Sequence, residues 1–243
     1  MLDRFSGHAD LYARYRIDYP DALYDYVLSF VQNRIVAWDC ATGNGQVANA
    51  LAQHFLQVEA TDISQTQLEQ APALPNIRYQ VSRAEQTPFA EGQFDLVTVG
   101  QALHWFDVEA FHREVRRVLK LGGVVAEWGY GLNRVSPDVD AMVSDFYTNV
   151  IGSYWDAMRE HVENRYANLP FDFDNPQFAD FTVERHWTAE WFLNYLRTWS
   201  AVRKYIAANG HDPVDTLTDA ITEAWGPGER LVQFPVFLRL GTR

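Results

Sequence analysis

The residues with the clearest chemical pattern lie between positions 36 and 62, where a glycine turn separates two apolar runs. The turn, residues 39–45, reads DCATGNG, and Asp62 ends the second run. A strand, a glycine turn, a helix start and an acid about twenty positions further on form the pattern that seats an adenosine group. Gly43 and Gly45 let the backbone approach a ligand, and the Asp62 carboxylate can accept hydrogen bonds from two ribose hydroxyls. The pattern predicts a nucleoside-cofactor site.

The charge at the mouth of this turn indicates which nucleoside cofactor fits. A dinucleotide would place its pyrophosphate at the helix start after Gly45, where the Asp39 carboxylate would repel it. The same carboxylate suits a ligand that carries an ammonium and a sulfonium, as S-adenosylmethionine does. Ala48 replaces the third glycine of the dinucleotide fingerprint, a change that the fingerprint tolerates. The alternative is that Asp39 only ties down the amides of its own loop.

Composition narrows the class of protein. The 243 residues fit one α/β domain with a full core, and the formal net charge of −12 provides no basic surface for nucleic acid. Cys40 is the single cysteine, so an internal disulfide is excluded and a reducing, cytoplasmic location is expected. No Cys/His cluster has the spacing of a zinc site. No apolar run approaches the roughly 18 residues of a membrane span, so we expect a soluble protein without a membrane partner.

The elements that position the glycine turn alternate between strand and helix. After a helix over 20–30 and a strand from Val36, the pattern predicts a helix over 45–54, a strand over 57–61, a helix over 65–70 capped by Ser64, strands over 77–81 and 94–99, a helix capped by Asp107, and a fifth strand over 124–128. Repeated strands and helices of this length imply a parallel sheet with right-handed crossovers and helices on both faces.

The pattern changes after Tyr130. Residues 130–180 form aromatic-rich helical segments without strand character, which predicts an insertion. Strands return at 181–187 and 231–238, with helices over 189–207 and 213–225 between them, the second capped by Asp212. Pro235 predicts that the last strand either needs no N–H at that position or carries a bulge.

Six stretches resemble class I S-adenosylmethionine-dependent methyltransferases, specifically the small-molecule group that includes the trans-aconitate methyltransferases. They are residues 12–20, 39–46, 84–89, 101–106, 119–123 and 197–202. The resemblance covers nearly the whole chain, and its specificity lies in the order and spacing of the stretches. The chain departs from the family at Ala41, where a first glycine is usual. We expect Ala41 to adopt a backbone angle that alanine accepts, or the loop to be reshaped.

The resemblance implies an α/β fold with a Rossmann-like, seven-stranded sheet. The first five strands would be parallel, the last antiparallel, and helices would cover both faces. Residues 1–243 would form a single methyltransferase domain, with 130–180 as a helical insertion on the substrate side. S-adenosyl-L-methionine would lie across the carboxyl ends of the parallel strands.

The predicted cofactor-binding set combines the reasoning from the residues with the family resemblance. Gly43 and Gly45 would approach the methionine part, and Asp62 would hold the ribose. Gln101 would place its backbone near the sulfonium. The full set is Tyr12, Arg16, Asp39, Ala41, Gly43, Gly45, Asp62, Ile63, Ala84, Glu85, Gln101, Ala102 and Trp105. Within it, Ala84 and Glu85 would flank the adenine, and Tyr12 and Arg16 would close over the cofactor.

His104 is the candidate catalytic residue, because it follows the fourth predicted strand, where a side chain can meet both cofactor and substrate. It could take a proton from a phenol or amine acceptor, or hold an anion. The alternative is that His104 only forms hydrogen bonds with nearby residues and that Trp105 packs in the hydrophobic core. A carboxylate acceptor is already ionised at neutral pH and would instead need cationic anchors. The candidate anchors are Arg16, His104, Arg197 and Arg203.

The sequence therefore predicts a methyltransferase that acts on a small-molecule acceptor, with a carboxylate among the candidates. Two alternatives remain at this stage. One is an NAD(P)-dependent oxidoreductase on a Rossmann-type fold, and the other is a catalytically silent protein that binds S-adenosylmethionine.

Overall fold

The computed structural model describes Tyr15 and residues 17–243, so the predicted Tyr12 and Arg16 contacts lie outside the described residues. The strands are β1 Val36–Cys40, β2 Gln57–Asp62, β3 Ile77–Val81, β4 Phe94–Gly100, β5 Leu119–Tyr130, β6 Asp174–Trp187 and β7 Arg230–Thr242. The helices are α1 Asp21–Ser29, α2 Gln46–Leu51, α3 Gln65–Leu68, α4 Val108–Val118, α5 Pro137–Asp145, α6 Arg159–Glu163, α7 Ala189–Arg197, α8 Ser200–Asn209 and α9 Thr218–Trp225.

These strands form one seven-stranded sheet in the order β3-β2-β1-β4-β5-β7-β6. The strands β1 to β5 pair in parallel, and β7 runs antiparallel to both β5 and β6. This confirms the predicted Rossmann-like sheet with an antiparallel last strand. From β1 the chain moves outward to β3 and then returns to β4 on the other side. The carboxyl ends of β1 and β4 therefore border a switch point, where α/β sheets bind their ligands.

Both faces of the sheet are covered, because successive residues of a strand point to opposite faces. Ala37 contributes to a core cluster with the buried residues of α1 and α2, whereas Trp38 contributes to the cluster that contains α4. The strand β4 is buried along residues 94–99, as a strand between two helical layers must be. The rigid central strands thus fix the positions of the loops at their carboxyl ends.

Side-chain caps fix several helix starts as predicted. Ser64 accepts a hydrogen bond from the Gln67 amide at 3.3 Å, and Asp107 accepts one from the Ala110 amide at 3.0 Å. Asp212 accepts one from Val214 at 2.9 Å, at the start of a 3₁₀ turn that precedes α9. These caps satisfy amide groups that helix geometry leaves without partners.

Other boundaries differ from those predicted. The strand β6 begins at Asp174, so residues 174–180, predicted as part of the helical insertion, are strand. The helix predicted over 189–207 is interrupted at Thr198 and Trp199, between α7 and α8. The strand β6 lies at the edge of the sheet, and its first residues are largely exposed. An exposed edge strand needs no alternating apolar pattern, so its sequence carried no strand signal.

Pro235 lies in β7, between β5 and β6, one position beyond the last paired residue of β5. Pairing of β5 with β7 ends at Tyr130 opposite Val236, and the Pro235 carbonyl accepts a hydrogen bond from the Gly131 amide at 2.9 Å. Because the nitrogen and carbonyl of one residue face the same neighbour in an antiparallel sheet, the proline nitrogen points past the end of β5. The first of the two predicted alternatives is therefore correct.

Candidate active site

The glycine turn joins β1 to α2 at the switch point of the sheet. Gly43 and Gly45 have φ angles of +57° and +82°, in the left-handed region that favours glycine. A Cβ atom on Gly45 would lie 2.5 Å from the Tyr79 hydroxyl, so this position has no room for a side chain. A Cβ atom on Gly43 would approach only Gln67, at 4.0 Å. The backbone at Gly43 is therefore open to a ligand.

Ala41 has a φ angle of +55°, which places an L-alanine in the left-handed region. Of the two expectations, an angle that alanine accepts or a reshaped loop, the first holds, because alanine can occupy this small allowed region, although at a cost. The conformation costs about 1–2 kcal/mol relative to glycine. The neighbouring Thr42 amide donates to the Thr61 carbonyl at 2.9 Å, which ties the loop to the end of β2 and holds Ala41 in place. Strain maintained by its surroundings is characteristic of ligand-binding loops.

Asp39 is buried and its carboxylate ties the turn together. It accepts hydrogen bonds from the Thr42 hydroxyl at 2.5 Å and the Thr98 hydroxyl at 2.9 Å. Burial raises the pKa of Asp39 to about 7, although the two hydroxyls and the Ala48 amide oppose that shift. Asp39 therefore ties the turn to β4 through two hydroxyl groups and not only through the amides of its own loop, as the alternative interpretation proposed. Asp39 also lines a pocket beside the turn.

Asp62 ends β2 directly against the glycine turn. Its Oδ2 atom accepts a hydrogen bond from the Gly43 amide at 2.9 Å, and its Oδ1 atom accepts one from the Ser64 amide at 2.9 Å. Ile63, between them, is half-buried. These two bonds fix the Asp62 carboxylate at the glycine turn. An acid at the end of the second strand is the position that binds ribose hydroxyls in nucleoside-binding folds.

Ala84 and Glu85 follow β3 at the same edge of the sheet. Ala84 is buried, and the Glu85 Oε1 atom accepts a hydrogen bond from the Asp107 amide at 3.3 Å. The Glu85 Oε2 atom lies 3.4 Å from the Arg83 guanidinium nitrogen. Glu85 is thus tied to the start of α4, which fixes the position of this segment.

A pocket lies at the switch point between the ends of β1 and β4. It is lined by residues 41–44, 46 and 47 of the turn and the start of α2, together with Ile17, Tyr19, Asp39, Gly100, Gln101 and Tyr130. Among the predicted cofactor residues, the pocket brings together Asp39, Ala41, Gly43 and Gln101. The other described members lie outside its lining: Asp62 and Ile63 at the end of β2, Ala84 and Glu85 after β3, Gly45 at the start of α2, and Ala102 and Trp105 after β4. Sequence reasoning did not single out Ile17, Tyr19 or Tyr130, although Ile17 and Tyr19 belong to one of the six family-like stretches.

The chemistry of this pocket fits S-adenosylmethionine. Its described lining contains a carboxylate and neither lysine nor arginine, which suits a cationic sulfonium better than a pyrophosphate. A dinucleotide site would need donors without a nearby anion. The open backbone at Gly43 and the Asp62 carboxylate beside it provide the groups that a methionine chain and a ribose require.

His104 lies in a 3₁₀ turn after β4, outside the lining of this pocket. Its side chain is buried, its Nδ1 atom is 3.5 Å from the Tyr166 hydroxyl, and its ring packs on Trp105 at 4.6 Å. Burial, with the nearby positive charges of Arg159 and His161, lowers the pKa of His104 to about 3. The ring is therefore neutral at neutral pH and cannot serve as a cationic anchor. Its role as a catalytic base stays a prediction.

Two of the other candidate anchors also have described positions. Arg197 forms ion pairs with Asp212 at 2.7 Å and Asp215 at 2.8 Å, so its charge is already neutralised. Arg203 is half-buried on α8 and does not line the pocket at the switch point. Neither arginine is placed to hold a substrate at this pocket. Ala102 is buried beside His104 and packs in the core below the pocket.

The fold and the pocket together define an α/β protein that binds a nucleoside cofactor at the switch point of its sheet. Comparison with known proteins gives the family. Residues 38–126 match the family described as a methyltransferase domain.

Relatives and a solved structure agree with this family. A methyltransferase of Dictyostelium discoideum is 28% identical over 250 residues, which cover 99% of this chain and 95% of the relative. An uncharacterized methyltransferase of Mycobacterium tuberculosis is 32% identical over 194 residues, covering 79% of this chain and 71% of the relative. The solved structure of a type II methyltransferase from Anaeromyxobacter dehalogenans is 37% identical, with a TM-score of 0.86 over 93% of this chain and 97% of that one.

The chain therefore belongs to the class I S-adenosylmethionine-dependent methyltransferases, and S-adenosylmethionine is its methyl donor. This excludes the oxidoreductase alternative. Within residues 17–243, no helix is both long and apolar enough to cross a membrane. The same part of the chain contains no cluster of three or more side chains that could hold a metal ion.

Proposed function

We propose that this methyltransferase acts on a small-molecule acceptor that carries a carboxylate, as members of the trans-aconitate methyltransferase group do. The observation that supports the site is the contact between Asp62 and Gly43, which brings the ribose-binding acid of β2 onto the glycine turn of β1. The predicted single domain, with a substrate-side insertion after β5, is part of this proposal. The insertion would shape the acceptor pocket and exclude water.

The proposed cofactor residues lie along the carboxyl edge of β1 to β4. Asp62 would hold the ribose hydroxyls, and Gly43 and Gly45 would lie against the methionine part. The Gln101 backbone would lie near the sulfonium. Ala84 and Glu85 would flank the adenine. Tyr12 and Arg16 would close over the cofactor. The surrounding wall would be formed by Asp39, Ala41, Ile63, Ala102 and Trp105.

S-adenosylmethionine, when bound, supplies a methyl group that its sulfonium already activates. The protein therefore needs mainly to align the acceptor, and orientation of this kind is worth up to about 7–11 kcal/mol. The low basicity of the buried His104 ring favours an acceptor that is already anionic. With a pKa lowered to about 3, the His104 ring would be a weak base at neutral pH. A carboxylate needs no proton removed before it reacts.

The first experiment measures cofactor binding by isothermal titration calorimetry. We expect the wild-type protein to bind S-adenosylmethionine and S-adenosylhomocysteine. Asp62→Asn should weaken both about ten-fold or more, because the ribose hydroxyls lose a charged acceptor. The control is Glu91→Gln, a change at an exposed surface position. Unchanged affinity in Asp62→Asn would refute the ribose assignment, and absence of wild-type binding would refute the proposed site.

The second experiment identifies the acceptor. The protein is incubated with methyl-labelled S-adenosylmethionine and metabolite pools separated into carboxylates, phenols and amines. We expect label to enter the carboxylate fraction. Transfer only to phenols or amines would contradict the proposed acceptor class and restore His104 as the leading base.

A further inference from the structure

A second cavity, of about 560 Å³, lies beside the cofactor pocket. Its walls are the chain after β5, the middle of β6, part of β7, and residues 147–165 of the insertion. Tyr130 lines the cofactor pocket and the next residue, Gly131, lines this cavity, so both spaces lie at the end of β5. The volume is in the range of small-molecule sites, about 300–1,000 Å³.

One part of this cavity is apolar. Leu132, Val162, Phe181, Val236 and Phe237 contribute to its walls. These side chains would favour the hydrocarbon or aromatic body of a ligand, because its contact with them removes apolar surface from water. A fully polar metabolite would gain little from them.

The charged part of the cavity has an excess of arginine. Arg165 forms an ion pair with Asp180, which neutralises both groups. The Tyr147 hydroxyl donates a hydrogen bond to Glu163. Arg134 and Arg159 also line the cavity. In residues 17–243, neither of these two arginines has a carboxylate within ion-pair distance, although acids outnumber basic residues in the chain.

Arg159 is held in position by uncharged groups. Its Nε atom donates to the Tyr147 hydroxyl at 3.0 Å, and its guanidinium lies 4.8 Å from the centre of the Trp155 ring. Its two terminal nitrogens have no hydrogen-bond acceptor in the described part of the chain. The positive charge of Arg159 also helps to lower the pKa of His104. A fixed cation with free donors is suited to bind a carboxylate through two parallel hydrogen bonds.

We infer that this cavity binds the methyl acceptor, and that the acceptor is an organic acid with an apolar body. Its carboxylate pairs with Arg159 and Arg134, and its body lies against Phe237 and Val236. This inference rests on the proposed function and adds the binding site, the anchoring residues and the amphiphilic character of the substrate. Because Arg134 follows β5 and Arg159 begins α6, the ligand would bridge the sheet and the insertion.

The test measures binding of a ligand panel to protein saturated with S-adenosylhomocysteine. The panel contains aryl and alkyl carboxylates of four to twelve carbon atoms, each with its matched primary amide, and phosphate monoesters with the same bodies. We expect at least one carboxylate to bind about ten-fold or more tightly than its amide, because only the carboxylate forms charge-assisted hydrogen bonds. Arg159→Gln and Arg134→Gln should each abolish this preference and leave amide binding unchanged. Arg113→Gln, at an exposed position of α4 outside the cavity, is the control.

Each other outcome has a defined meaning. Equal binding of carboxylates and amides, or no binding of any panel member, would overturn the inference. Tighter binding of the phosphate monoesters would overturn the carboxylate assignment. If Arg159→Gln fails to fold, Arg134→Gln, whose side chain is exposed, decides the matter. If the wild-type protein does not bind S-adenosylhomocysteine, that result would instead refute the proposed cofactor site.

Discussion

Gln101 and Tyr130 are joined by two hydrogen bonds that clamp the loop after β4 to the end of β5. The Gln101 Oε1 atom accepts from the Tyr130 amide at 2.7 Å, and its Nε2 atom donates to the Tyr130 carbonyl at 3.3 Å. Gln101 has a φ angle of +53°, which an L-residue rarely adopts. Both residues line the cofactor pocket. The clamp therefore maintains a strained backbone where the methyl donor is expected.

Two substitutions of Gln101 should distinguish the effect of the two hydrogen bonds on stability from the effect of the left-handed backbone angle. Gln101→Ala removes both hydrogen bonds and keeps the side-chain carbon, so we expect it to lower the free energy of unfolding by about 1–3 kcal/mol. Gln101→Gly also removes the clamp but relieves the left-handed conformation, and should recover about 1 kcal/mol of that loss. Urea unfolding measures both values. Equal stability of the two variants would show that the positive φ angle carries no cost.

Ala41 offers a stabilising substitution in the glycine turn. Because its φ angle is +55°, we expect Ala41→Gly to raise the free energy of unfolding by up to about 1 kcal/mol. The control is Ala48→Gly in α2, where the same change should destabilise by about 1 kcal/mol or more, since glycine weakens a helix. Urea unfolding of both variants tests the assignment. A destabilised Ala41→Gly would mean that the alanine methyl group makes contacts that outweigh the strain.

The parallel half of the sheet could be predicted because its signals are local. The strand β4 is a run of apolar and branched residues over 94–99, as burial on both faces requires. Asp107 and Ser64 precede helices at positions where their side chains cap free amides. The spacing of two parallel strands in the sequence was enough to predict that Asp62 lies beside the glycine turn. Such features depend on neighbours in the sequence.

The features that could not be predicted depend on residues that are distant in the sequence. His104 is neutral because Tyr166, 62 positions away, helps to bury it. The strand β6 forms at 174–180 because β7 pairs with it, and not because of its own pattern. Arg134 and Arg159 lie on different parts of the chain, 25 positions apart, and line the same cavity only in the folded structure. No pattern of neighbouring residues in the sequence indicates any of these contacts.

The buried Asp39 should give the free energy of unfolding a specific pH dependence. Its pKa is raised from an ordinary value of 3.8 to about 7. Between these values the unfolded chain releases the proton and the folded protein retains it. Stability therefore falls as the pH rises from about 4 to 7, with a slope of up to about 1.4 kcal/mol per pH unit from this group, and levels off above 7.

The Asp39→Asn variant isolates this contribution. Asparagine has the same shape and does not titrate, so the variant should lack the slope that Asp39 causes. Urea unfolding of both proteins at pH 5, 6, 7 and 8 gives the difference in stability. The low pKa of His104 also affects stability below about pH 6.5, but it does so in both proteins and cancels in the difference. A difference that is constant with pH would show that Asp39 ionises normally.

A buried charge network ties β5, β7 and α4 to the chain that carries Tyr166. Glu127 accepts hydrogen bonds from Arg239 at 2.6 Å and lies 2.7 Å from His112. Arg239 also donates to the carbonyl groups of Tyr166 at 2.9 Å and Leu169 at 3.1 Å. All three charged or titratable side chains are buried. Removal of Arg239 would leave the Glu127 carboxylate buried with His112 as its neighbour and without its permanent cation.

We expect Arg239→Met to lower the free energy of unfolding by about 3–5 kcal/mol, because Glu127 would keep a buried charge without its cation. Glu127→Gln in the same chain should recover part of this loss, so the two changes should be strongly non-additive in a double-mutant cycle. Arg165→Met, which removes an exposed pair with Asp180, is the control and should cost less than about 1 kcal/mol. Urea unfolding of the four proteins of the cycle and the control measures these values. Additive effects would contradict the prediction, since they would mean that Glu127 and Arg239 stabilise the fold independently.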